Sequence, residues 1–275
     1  MIDQLYLILI MAGALAGFLA GLMGIGGGIV SVPIMYWALG AMGDLGVDDA
    51  LRMHTAVATS LLVIIPTSIR SARAHYLKGG VEVPTAKTWA AFIIIGALVG
   101  ALIANDLDKQ QLVTFFGVML FLMALRLLLL AFKGQQQEGV ERSVTGPFSK
   151  FVALFIGVAS SLMGIGGASF AVPYLTLMGR PIQRAVGTAS FFGLLIALPA
   201  VIGFAWLSVF AEGRALSNPW QVGYFNGLLF LFVAPLSILC APYGVKMAHK
   251  ISPKALSGVF GVFLMITSLR MMFGA

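Results

Sequence analysis

Two stretches of this chain, Phe115 to Phe132 and Tyr224 to Val245, run for about 18 residues or more with at most one charged side chain. That is roughly the length at which a helix crosses the hydrocarbon of a bilayer. Backbone in hydrocarbon must satisfy its own N–H and C=O groups, which leaves only helices and closed barrels. Barrel strands would alternate apolar and polar over segments of about ten residues, and no such alternation is present. The expected fold is therefore an all-α integral membrane protein. Composition agrees, with 60% hydrophobic and 10% charged residues, against about 25% charged in an ordinary soluble domain.

The net charge of +7 does not mark a nucleic-acid binder, because the basic residues fall in short loops between apolar segments, where they set membrane topology. The single cysteine, Cys240, lies within an apolar run, so neither a disulfide framework nor a thiolate metal cluster is available. Cofactor and metal are both expected to be absent. The N-terminus is apolar from Leu5 without the basic flank of a cleaved signal peptide, and it is read as part of the fold.

Leu22 to Pro33 (LMGIGGGIVSVP) aligns without a gap on Leu162 to Pro173 (LMGIGGASFAVP), with eight of twelve positions identical. At a shifted offset Gly100 matches Gly244, Leu112 matches Leu256, Gly117 matches Gly261 and Arg126 matches Arg270. The chain is thus two repeats, residues 1–132 and 150–275, joined by a polar, glycine-bearing linker, 133–149, expected to be cytoplasmic. Each half holds five apolar segments: about 5–22, 29–40, 54–70, 85–104 and 110–132, then 150–163, 168–179, 183–206, 221–247 and 252–273. The second segment of each half makes only about 18 Å of helix against about 30 Å of hydrocarbon. With the glycine cluster before it, each first pair reads as a broken-helix hairpin that enters the membrane, turns near mid-depth and returns, followed by about three full crossings.

Charge orients the halves. The loop between the third and fourth segments carries Arg70, Arg73, Lys78 and Lys87 in the first half but only Glu212 and Arg214 in the second. The next loop reverses this, with Asp106, Asp108 and Lys109 against Lys246, His249, Lys250 and Lys254. The loop before the third segment is acidic in the first half (Asp44, Asp48, Asp49, with Arg52) and basic in the second (Arg180, Arg184). Lys and Arg mark cytoplasmic loops, so the repeats are expected to be inverted, with both termini facing outward.

In the glycine motif, positive φ and close backbone approach become available. A helix starting just after it presents free N–H groups and the positive end of its dipole, a ready anion site. Two such starts facing each other near mid-membrane is an arrangement of secondary transporters. The expected substrate-binding residues are Gly24, Gly26, Gly27 and Gly28 with Gly164, Gly166, Gly167 and Ser169. Thr59 and Ser60, and Thr188 with Ser190, stand at matching places and could offer hydroxyls to an oxyanion, although such hydroxyls in membranes also serve neighbouring helices. Pro33 and Pro173 are candidate structural hinges. Arg52, Arg184, Arg126 and Arg270 are candidate entrance or gating charges, the last two long enough to snorkel instead. Trp89, Trp206 and Trp220 read as interface anchors.

The doubled glycine-proline motif, the short segments after it, and Ala58-Thr59-Ser60 with Gly187-Thr188 resemble the sulfite exporter TauE/SafE family across both halves. Its members are inner-membrane permeases associated with sulfite, sulfoacetate and other sulfur-containing or organic anions, so the resemblance implies anion transport. The second copy departs from the first in having Ala168 where the first has Gly28.

The expected function is export of a small sulfur-containing oxyanion, such as sulfite or an organosulfonate, by alternating access in the cell inner membrane. The expected partners are the anion and the lipid bilayer, with room for a homodimer. No Asp, Glu or His falls well inside the expected spans; His54, His75 and His249 stand near loops or segment ends. Coupling through a protein carboxylate is accordingly disfavoured. An anion channel is the alternative within transport. An intramembrane serine hydrolase at Gly167-Ala168-Ser169 is a remote one outside it, since it would need a base within reach.

Overall fold

The computed structural model describes residues 2–24, 26–41, 47–133, 141–211, 219–247 and 253–273. Ten α-helices carry them: α1 Ile2–Met23, α2 Gly28–Ala41, α3 Arg52–Leu77, α4 Val83–Asp106, α5 Lys109–Lys133, α6 Pro147–Met163, α7 Ala168–Leu177, α8 Ile182–Ala205, α9 Gly227–Met247 and α10 Pro253–Phe273. Each half supplies five, and their limits follow the apolar segments closely. Six helices (α1, α3, α4, α5, α8 and α9) are long and apolar enough to cross a membrane, and the protein is an all-α multi-pass membrane protein. Among the shorter ones, α2 and α7 are the segments expected to be unable to cross alone.

The halves exchange partners. Helix α1 packs along α9 as α6 packs along α4, while α3 lies on its counterpart α8 and α5 on α10. Small residues make the first two contacts tight. A Cβ added to Gly13, Gly17 or Gly21 of α1 would fall 2.4, 2.1 or 1.9 Å from the carbonyl oxygens of Val233, Ser237 and Ala241. On α4 the same holds for Gly96 against Leu154 O at 2.2 Å. Without water to drive helices together, close approach of small residues is the main attraction available.

The ends of the bundle sort by contact. At one end, Arg180 pairs with Glu82 and Arg184 with Glu141, Arg142 N–H donates to Met178 O, and Lys78 reaches Val245 O. At the other, Asp49 pairs with Arg52 and Lys109, Gln221 reaches Thr55, and Tyr224 donates to Asn105.

Several expectations need correction. Residues 221–226 do not belong to the fourth helix of the second half; they form a hairpin of β1 (Gln221–Val222) and β2 (Phe225–Asn226), because Asn226 starts α9 by accepting from Leu229 N–H. Trp89 is no interface anchor: it is fully buried, and its indole donates to Val144 O in the linker at 2.9 Å. Trp206 and Trp220 are exposed, as anchors would be. Helix α3 runs past its expected end, and His54 and His75 are both buried within it. Helix α1 also runs further than a turn at mid-depth implies, since Gly21 O lies 3.1 Å from Nε2 of His75 near the end of α3. Asp44, Glu212, Arg214, His249 and Lys250 lie outside the described residues.

Gly17→Leu is expected to cost the fold, because its side chain must displace the Ser237 backbone. Overpacking of this kind costs about 1–3 kcal/mol or more, read as a lower thermal midpoint of the detergent-purified protein, whereas Leu15→Ala on the exposed side of the same helix should change little.

Candidate functional site

The glycine motifs turn as their residue type allows. Gly24 and Gly164 have φ of 69° and 66°, Gly27 and Gly167 have 78° and 77°, a backbone region that residues with a Cβ rarely adopt. Gly164 ends α6 by donating to the Ser160 and Ser161 carbonyls, and Gly27 and Gly167 open α2 and α7 by accepting from the third and fourth residues after them. The copies differ at Gly26, which has φ 74° while Gly166 is not in that region.

The two bends meet. A Cβ on Gly26 would stand 2.8 Å from Gly166 Cα, and one on Gly28 only 2.1 Å from Gly164 O. Ile64, near the middle of α3, lies at 3.4 Å from the same Gly26 position, and Gly193, near the middle of α8, faces Gly166 O at 3.5 Å. The contact therefore sits halfway along both central helices. Each bend also rests on the opposite half: Gly24 against Val186 O of α8, Gly164 against Val57 O of α3. The first N–H groups of α2 and α7 have no intrahelical acceptor, and Gly167, as N-cap of α7, has no side chain to supply one.

The hydroxyls divide into two kinds. Ser60 donates to Gly164 O at 2.9 Å and is itself 2.9 Å from Ser31 of α2, so this pair ties the first repeat to the bend of the second. Thr59 and Thr188 are engaged across the repeats. Each accepts the backbone N–H that begins a helix of the other half, Asn226 on Thr59 at 3.0 Å and Glu82 on Thr188 at 2.9 Å. Ser190 donates locally to Gly187 O. Ser169 is the second residue of α7, and its buried hydroxyl has no partner.

Pro33 and Pro173 lie inside α2 and α7, where a missing N–H leaves the carbonyl four residues earlier unbonded within the helix. Arg52 clamps the end of α2 to the start of α3: it pairs with Asp49 at 2.5 Å, reaches Tyr36 O at 3.4 Å and covers the Tyr36 ring. Arg184 is exposed beside Glu141. Arg126 and Arg270 sit on α5 and α10, the first half-buried and the second exposed.

Sequence reasoning passed over the polar residues that brace the site. At one end Thr55, Gln221 and Asn226 are joined by buried hydrogen bonds and Tyr224 bonds to Asn105, and Glu82 with Arg180 and Thr85 forms a network at the opposite end. The signal was available, since Glu82 and Asn226 correspond at the same offset as Gly100 and Gly244. Burial alone would raise the Glu82 carboxyl, but hydrogen bonds from Arg180 and Thr85 and the Arg180 charge outweigh it and hold the group below its ordinary value.

The model of the family described as "Sulfite exporter TauE/SafE" matches residues 9–271. The chain belongs to the TauE/SafE family. A probable membrane transporter protein of Haemophilus influenzae is 31% identical to it over 96% of this chain and 97% of that one. One of Methanocaldococcus jannaschii is 28% identical over 94% and 95%, and the probable membrane transporter protein YunE of Bacillus subtilis is 25% identical over 98% and 97%. No solved structure matches. For this TauE/SafE chain, membership makes it a membrane transporter.

The depressed carboxyl of Glu82 contributes stability that is present above its unfolded value and lost as pH falls through the lower folded one. Glu82→Gln should lower the thermal midpoint at neutral pH, by the equivalent of about 1.5–3 kcal/mol for hydrogen bonds to a charged group. The gap from the parent protein should close below the ordinary carboxylate range, where Glu82 is itself protonated.

Proposed function

We propose that this chain carries small sulfur-containing oxyanions, sulfite or an organosulfonate, out across the cell inner membrane by alternating access. The anion is held between the two broken-helix starts. The observation that carries this reading is the main-chain meeting of the two glycine bends halfway along α3 and α8, with helix N-termini directed there from both repeats. Such discontinuous helices recur where secondary transporters bind anions, and the family description names sulfite.

The two repeats, 1–132 and 150–275, are inverted with respect to each other. Loops that correspond in sequence gather at opposite ends: the loop before α4 packs with Arg180, whereas the hairpin before α9 packs with Thr55 and Asn105. The end holding Arg70, Arg73, Lys78, Lys87, Arg180, Arg184 and Lys246 is basic and faces the cytoplasm with the 133–149 linker; the end holding Asp48, Asp49, Asp106 and Asp108 faces outward. Arg52 and Arg184 then stand at opposite mouths. An inside-negative potential drives an anion outward by about 2.3 kcal/mol per charge for each 100 mV, so export needs no protein carboxylate. Against the hydrolase reading, no hydrogen bond links Ser169 Oγ to a base.

Proteoliposomes of the purified protein loaded with radiolabelled sulfite should show saturable efflux that an imposed inside-negative potential accelerates, and counterflow that a channel would not give. Gly28→Ala is the variant to pair with it. Its backbone φ is not positive and its counterpart is already Ala168, but the added Cβ would stand 2.1 Å from Gly164 O and force the bends apart, so flux should fall at least about tenfold, with the thermal midpoint measured alongside to separate lost transport from lost fold. Wild-type vesicles passing none of sulfite, thiosulfate, sulfoacetate, taurine or acetate would overturn the reading.

A further inference from the structure

The two bends match in backbone but not in hydroxyls. Ser31 and Ser60, which the second repeat replaces by Ala171 and Ala189, are bonded to each other and to Gly164 O. Ser160 and Ser169, which the first repeat replaces by Ala20 and Ile29, have buried oxygens with no partner. Ser160 is 0% exposed. It lies on the last turn of α6, with its Oγ 3.5 Å from where a Cβ on Gly167 would stand, so it points at the N-cap of α7; Ser169 is on the first turn of that helix.

A serine or threonine inside a helix ordinarily returns its proton to the carbonyl four residues back, as Thr67, Thr176, Ser208 and Thr267 do here. Ser160 forgoes that bond, and Ser169, second in its helix, has no helical carbonyl four residues back; both stand where the first N–H groups and positive dipole end of α7 also lack an intrahelical acceptor. The third unpartnered serine, Ser268, stands on α10, which carries no bend. Buried polar groups left open in a native fold call for a missing partner. An acceptor-rich group satisfies every donor of this set together.

We propose that Ser160 and Ser169, with the first N–H groups of α7, form the oxyanion-binding point of the transporter, so that the substrate is held by the second repeat and only faced by the first. This deepens the transport reading above and rests on it. Ile196 Cδ1 lies 2.4 Å from the same Cβ position on Gly167, which closes the point in this state. Loading therefore requires Ile196 to turn aside as the bends separate. The serines select for ligands with at least two acceptor oxygens on one centre.

The test is sulfite binding to the full-length purified protein, by calorimetry, for the parent, Ser160→Ala, Ser169→Ala and the double variant. Each single change should weaken sulfite roughly tenfold or more, and the double variant should bind no sulfite at millimolar concentration. The thermal midpoint without sulfite should stay equal or rise, since each change removes an unsatisfied hydroxyl, which a merely structural role for the serines would not allow. Sulfite affinity unchanged in the double variant would overturn the serine assignment and leave the transport reading standing, the serines then holding only solvent. A parent protein that binds none of sulfite, thiosulfate, sulfoacetate or acetate would overturn the reading itself and the assignment with it.

Discussion

Gly26 touches Gly166, and Gly28 touches Gly164, through main-chain atoms with no side chain between them. At this contact both chain segments have left the helix, and opened backbone in hydrocarbon is tolerated only where protein surrounds it. The surrounding is supplied by α3 and α8, which carry many of the buried polar side chains among the described residues, including Thr55, Thr59, Ser60, Thr67 and Ser68 on the first and Thr188 and Ser190 on the second. Bends, central helices and buried hydroxyls are one unit.

The exchange of partners between repeats follows from the same constraint. If α1 and α6 are to deliver their bends to one point, each must lie along a helix of the other half, and α9 and α4 are those helices. Their first residues are then fixed by the threonines of α3 and α8, because Asn226 N–H on Thr59 and Glu82 N–H on Thr188 are equivalent bonds made in opposite halves. A helix start buried near the bundle end must find acceptors for its N–H groups, and a threonine from the repeat-related helix meets that need in both copies.

The sequence made the ten segments, the duplication and the glycine bends legible because each has a one-dimensional signature: length of apolar run, matched offset, clustered glycine. It also carried the α1 stripe, Gly13, Gly17 and Gly21 at every fourth residue, although that spacing alone does not say which helix it meets. What it could not convey is the direction in which a polar side chain spends its hydrogen bond. Thr59 and Ser60 are neighbours, yet one accepts from α9 and the other donates to Gly164 O. Trp89 failed as an anchor for a related reason: nearness to a helix end said nothing of the linker that folds back over it.

Under the transport reading, the contacts also separate into those that can yield and those that cannot. The glycine stripes of α1 on α9 and of α4 on α6 place backbone against carbonyl oxygen along most of their length, and dispersion in such packing is lost steeply with a fraction of an ångström. The bends are held together by less: a few main-chain van der Waals contacts, the Ser31–Ser60–Gly164 hydrogen bonds and the methyl end of Ile196. Helices α2 and α7 are each joined to their neighbours through a glycine at one end and a proline within. A rearrangement that opens the midplane therefore costs least when these short arms shift against a scaffold of close-packed long helices. On the proposed binding at the α7 start, the anion's own interaction there would offset the contacts that opening removes.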